Sequence, residues 1–102
     1  DKAVLKPEGK AIVDEVIAYL KKYPQDKVTI EGHCCNIGTE EYNMGLGQRR
    51  ADAVKKYMVE NRIDPSRITT ISYGESRPAV PNDTPQNRKL NRRAVFVITI
   101  GD

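Results

Sequence analysis

The chain has 102 residues, 38% of them apolar and 30% charged, and a formal net charge of +3. That length suits one domain spanning residues 1–102, with a single core between two layers of secondary structure, and leaves no room for a second. Low-complexity tracts, a secretory h-region and any apolar run near the ~20 residues of a membrane span are all missing, so a membrane link is expected only through a segment outside this chain.

The opening DKAVLKPEG reads as the middle of a longer sequence, so an upstream signal, anchor or strand is expected. Pro7 and Glu8 suit the first turn of a helix, and Ile12, Val13, Val16, Ile17 and Leu20 then recur at helical spacing until Tyr23-Pro24. KVTIEGH alternates Val28 and Ile30 with Thr29 and Glu31, the pattern of a half-buried strand. A loop over 33–38 ends at Gly38; Thr39 is a good N-cap, and Glu40-Glu41 suit the first turn of a helix running to about Asn61. IDPSR is a turn, RITTISY a second strand, GESRPAVPNDTP a punctuated loop, QNRKLN a short helical turn and RRAVFVITI a closing strand. This order predicts an α/β two-layer sandwich, with helices covering one face of a small sheet that an upstream strand completes.

QNRKLNRR carries four cations and no acid, but no aromatic residue interleaves with it, so nucleic acid is not an expected partner. The adjacent thiols of Cys34 and Cys35 are expected to be free. Neighbouring α-carbons lie about 3.8 Å apart, whereas an unstrained disulfide spans roughly 4.4–6.8 Å. His33, Cys34 and Cys35 have no companion cysteine or histidine elsewhere, so structural zinc is not expected, nor is any other metal or cofactor.

On a wheel of about 100° per residue, Leu46, Ala53, Val54, Tyr57 and Met58 form an apolar stripe on the second helix, and Arg50 falls inside it while Arg49 points to the edge. A cation turned toward the core needs a carboxylate, a set of carbonyls or a ligand. The same helix opens at Gly38-Thr39, where unpaired amides and the positive end of the dipole favour an anion. Arg50 lies about 16 Å of rise further along, so the loop is expected to fold back if both line one pocket. Asn43, seven residues before Arg50 and on nearly the same face, adds a neutral hydrogen-bonding group.

The blocks EGH-x-x-N-I-G-T-x-x-Y-N-x-x-L-G-x-x-R-A-x-x-V, SYGE-x-x-P and NRRAVFVI together resemble the OmpA-like C-terminal domain, the peptidoglycan-binding module of outer-membrane protein A, peptidoglycan-associated lipoprotein and flagellar stator proteins. The lipoprotein branch is the most similar. The resemblance implies a βαβαβαβ fold with a mixed sheet and a first strand ahead of Asp1. It also implies a periplasmic, outer-membrane-associated location, no enzymatic activity, and a noncovalent ligand, the diamino acid of the peptidoglycan peptide stem, with other envelope proteins as further partners. By the resemblance Arg50 takes the ligand carboxylate, Asn43 assists, and the amides around Asn36, Ile37 and Gly38 are donors. Arg92, from the NRR step, is a ligand neighbour.

The family's loop aspartate, which pairs with the ligand ammonium, is Cys35 here. A thiol offers no fixed negative charge, and losing a charge-assisted hydrogen bond weakens binding by about 10- to 150-fold. Several readings of Cys35 stand open: a divergent domain that binds a different stem or nothing, a thiolate in the carboxylate's place, or a substituted or redox-active position. Cys34 reads as a small filler. Two rival functions follow, a protein-interaction scaffold without peptidoglycan binding and a thiol enzyme using Cys35 with His33 as base.

Overall fold

The computed structural model describes residues 7–101, with side chains at 9–88 and 92–101. Along the chain come α1 (Pro7–Lys22), β1 (Lys27–His33), α2 (Glu40–Glu60), a 3-10 turn (Pro65–Arg67), β2 (Ile68–Gly74), α3 (Pro85–Asn91) and β3 (Arg93–Thr99). The strands form a mixed sheet in the order β2-β1-β3, with β1 parallel to β2 and antiparallel to β3. The parallel pair requires a crossover, and α2 supplies it. The strand expected ahead of Asp1 lies outside the described residues.

Register explains where the core sits. Val28 pairs with Ile68 on one side and Ile98 on the other, and Ile30 pairs with Phe96. Strand alternation turns these side chains to one face, where Val13, Ile17 and Leu20 of α1 and Ala51, Val54 and Met58 of α2 cover them. Each fully buried Val, Ile, Leu or Met among them contributes about 1.5–3 kcal/mol by leaving water. The opposite face carries Thr29 and Glu31 with the exposed Ile71 and Val97. No described helix is long and apolar enough to cross a membrane.

The helices correct two expectations. Ile12 is 56% exposed, because the buried line of α1 runs through Val13, Ile17 and Leu20 and leaves Ile12 on its solvent flank. On α2 the buried line is Asn43, Leu46, Gly47, Ala51, Val54 and Met58, so Ala53 and Tyr57 are only half-buried and Arg50 lies beside the line rather than within it.

Gly32 of β1 and Gly47 of α2 set the height of the helix above the sheet. A Cβ on Gly32 would lie 1.8 Å from the Gly47 carbonyl oxygen, and one on Gly47 would lie 2.3 Å from Ser72 Oγ. Only bare backbone fits at this crossing. Three residues beyond Gly47, Arg50 is thereby delivered to the C-terminal end of β1.

Candidate functional site

The site is built where β1 ends, β2 ends and α2 begins. Gly38 turns the chain with φ of 96°, a conformation open to glycine, and a Cβ there would stand 3.2 Å from the Tyr42 ring. Thr39 then caps α2, its Oγ1 accepting from the Tyr42 amide at 3.0 Å, with Glu40 and Glu41 in the first turn. On the other side, the Cys34 amide donates to the Gly74 carbonyl at 2.7 Å, and Ser72 Oγ donates to the Met44 carbonyl at 2.6 Å. These two bonds tie the cysteine loop and the start of α2 to the end of β2.

Arg50 is half-buried, and its Nη1 donates to the His33 carbonyl at 2.6 Å and to Cys34 Sγ at 3.4 Å. Among the described residues no carboxylate pairs with it. The base of the loop lies against the helix, as it must if both are to line one pocket: Cys34 Sγ sits between the Asn43 carbonyl and Arg50, brought there where α2 recrosses β1 at the glycine contact.

Asn43 is buried, and its Nδ2 donates to Glu75 Oε1 at 3.2 Å. A carboxylate only accepts, so this contact fixes the amide's orientation. Its Oδ1 faces the loop, 3.6 Å from where a Cβ on Gly38 would stand. The Asn43 carbonyl accepts from Cys34 Sγ at 3.3 Å. Cys34 is thus more than a filler: it bridges Asn43 and Arg50. Burial pushes its thiol above the ordinary value, with Arg50 opposing in part.

Cys35 is also buried, and it faces a different partner, Arg92, whose Nη1 donates to its Sγ at 3.4 Å. Burial pushes this thiol up, but the Ile37 amide, the Arg92 guanidinium and the residue's own amide together pull it below the ordinary value of 9.0. Both thiols are free. Asn36, Ile37 and Gly38 lie exposed at the loop tip, and Arg92 is exposed beside them. The structure thus brings Arg50, Cys34 and Asn43 into one contact chain and Cys35, Ile37 and Arg92 into another.

His33 is buried, stacked on Tyr73 with ring centroids 5.3 Å apart, and its Nε2 meets Glu31 Oε1 at 3.0 Å. Its Nδ1 is buried without a partner among the described residues. Glu31 does orient the imidazole, but Cys35 is hydrogen-bonded to Arg92 and not to His33, so a thiol–imidazole couple is not assembled. No described cluster of His, Cys, Asp and Glu could hold a metal ion.

Three contributors carry no role that local sequence assigns: Gly32 and Gly47, which stand in the EGH and L-G steps of the motif, and Glu75, an acid in the SYGE step that opens a Gly- and Pro-rich loop.

Comparison with known proteins places these features in context. A family model described as the OmpA family matches residues 1–92. The peptidoglycan-associated lipoprotein of Haemophilus influenzae is 45% identical over 96 residues, covering 94% of this chain and 63% of that protein. Outer membrane porin F of Pseudomonas fluorescens is 44% identical over 93 residues, 91% of this chain and 28% of that protein. This chain therefore spans less than two thirds of either relative. The crystal structure of the peptidoglycan-associated lipoprotein from Burkholderia pseudomallei superposes with a TM-score of 0.92 at 29% identity, covering 97% of this chain and 84% of that one. The C-terminal domain of Helicobacter pylori MotB has the same fold, with a TM-score of 0.87 at 20% identity over 96% of this chain and 77% of that one. Names of outer-membrane and wall-associated proteins among these relatives agree with the periplasmic, outer-membrane-associated location implied by the motifs.

Proposed function

The chain belongs to the OmpA family, and on that premise we propose that residues 1–102 act as a single domain that noncovalently binds the peptide stem of peptidoglycan through its diamino acid, linking an envelope protein to the cell wall. One observation carries the reading. Arg50 is held half-buried by a main-chain carbonyl and a soft sulfur, with no carboxylate among the described residues neutralising it. A guanidinium in that state retains donors for a carboxylate guest, and a bidentate pair is its strongest mode of recognition.

The exposed residues 36–38 lead into the N-terminus of α2, where the helix dipole favours negative charge, and the Ile37 amide already serves the Cys35 thiol. Arg92 screens position 35 and adds a second cation at the loop. Cys35, polarised toward thiolate by Arg92 and the Ile37 amide, is a weak stand-in for the family's aspartate, so affinity is reduced relative to a domain with a carboxylate there.

The test is co-sedimentation with purified sacculi. The wild type sediments weakly, Cys35→Asp sediments about tenfold or more better, and Arg50→Ala abolishes retention in either background. Equal sedimentation of all three proteins removes the site from consideration. The missing aspartate also favours a second reading, a scaffold that binds other envelope proteins and not the wall. It predicts no retention of the wild type or of Cys35→Asp.

A further inference from the structure

We infer that Glu75 supplies the negative charge that recognises the ligand's ammonium, in place of the acid missing at position 35. The inference rests on the peptide-stem reading above and names the residue that completes it.

The geometry begins at Gly74, whose φ of 53° turns the chain at the end of β2. A Cβ at this position would stand 3.0 Å from the Met44 amide nitrogen, so the turn presses directly on the beginning of α2. With the Gly74 carbonyl also bonded to the Cys34 amide, the next residue, Glu75, is held against Asn43, on the helix that carries Arg50. A relay of contacts joins the two charges: Glu75 Oε1 to Asn43 Nδ2 at 3.2 Å, the Asn43 carbonyl to Cys34 Sγ at 3.3 Å, and Cys34 Sγ to Arg50 Nη1 at 3.4 Å.

The charge inventory then decides. Of the other acids at this end, Glu31 pairs with His33, and Glu40 and Glu41 lie exposed in the first turn of α2. Glu75 is half-buried, and among the described residues it pairs with no cation; its partner is a neutral amide. A carboxylate and a guanidinium therefore flank one uncharged patch without neutralising each other. An amino acid centre, carrying ammonium and carboxylate on one carbon, complements that pair. Asn43 holds Glu75 in place with one amide group and turns its Oδ1 toward the loop, where it accepts a further ammonium hydrogen.

The experiment is calorimetric titration of the whole chain with meso-2,6-diaminopimelate and with pimelate, the diacid of equal length without amines. The wild type prefers the diamino acid. Glu75→Gln keeps the bond to Asn43 but removes the charge; its affinity for diaminopimelate falls by about 10- to 150-fold while its affinity for pimelate does not fall, so the preference disappears. Glu75→Asp restores part of the preference, which a merely structural role for residue 75 would not do. If Glu75→Gln retains the full preference, Glu75 is not the ammonium site and the peptide-stem reading survives. Failure of the wild type to bind either ligand or sacculi overturns that reading and this inference together.

Discussion

The two ends of β1 each hold a half-buried arginine, and they use it in opposite ways. At the Lys27 end, Arg67 Nη2 donates to the carbonyls of Leu20 and Tyr23 at 2.9 Å and of Asp26 at 2.8 Å, and its Nε to Asp26 again at 3.0 Å. It closes the C-terminal end of α1, where unpaired carbonyls collect. Beside it the buried Asp26 carboxylate accepts from Tyr19 at 2.6 Å and from the Gly101 amide at 3.0 Å. An open groove of about 560 Å³ runs past these groups, lined by Tyr19, Lys22, Tyr23 and Ile100, but its carboxylate and phenol are already paired. At the His33 end, Arg50 has one carbonyl and a thiol. The same residue type is saturated by the backbone at one end and left with free donors at the other, the end for which a recognition role is proposed.

Removing each arginine separates these roles. Arg67→Ala strips donors from three carbonyls and loses about 3–4 kcal/mol of stability, read from urea unfolding midpoints. Arg50→Ala loses less by the same measurement, about 1–2 kcal/mol, because it strips a donor from one carbonyl and from a sulfur that accepts only weakly. Similar losses for the two variants would erase the distinction.

Gly32→Ala acts on the His33 end alone. Its Cβ would collide with the Gly47 carbonyl, so α2 must lift, at about 2–3 kcal/mol. Lifting the helix also withdraws Arg50 from His33, so sacculus retention falls further than the stability loss explains.

Acid discriminates the ends next. The Asp26 carboxyl lies below the ordinary value of 3.8, held there first by the Tyr19 hydroxyl, then by the Gly101 amide, with Arg67 assisting. A depressed folded-state pKa contributes stability above 3.8 that is lost as pH falls through the folded value. Asp26→Asn therefore flattens the acid limb of the stability profile, followed by urea midpoints below pH 4, and an unchanged limb would contradict the pairing seen here.

The smallest effect lies within the site. Alkylation of Cys35, measured in Cys34→Ala, rises at lower pH than that of Cys34, measured in Cys35→Ala, because the two thiols are shifted in opposite directions from 9.0.

What was legible in the sequence was whatever local chemistry writes into it. The Thr39 cap, the acidic first turn of α2 and the alternation of KVTIEGH needed no partner to be read, and each element formed as expected. Arg50 stood out because a cation beside an apolar line demands an explanation, though the sequence could not choose among a carboxylate, carbonyls and a ligand. That choice depends on the Gly32–Gly47 contact, which joins residues on separate elements and has no local signature. Glu75 escaped for the same reason: its significance lies in Asn43, 32 residues away. Cys34 and Cys35, adjacent in sequence, take different arginines because successive side chains on an extended segment point apart.

The central claim is that Arg50 is kept in reserve for an acidic guest while Arg67 is spent on the fold. Its most direct test is to follow the assigned guanidinium resonances of both arginines by NMR as diaminopimelate is added. The account predicts a saturable shift of the Arg50 signal with Arg67 unmoved. A still Arg50 signal, under conditions where the chain is retained on sacculi, would contradict it.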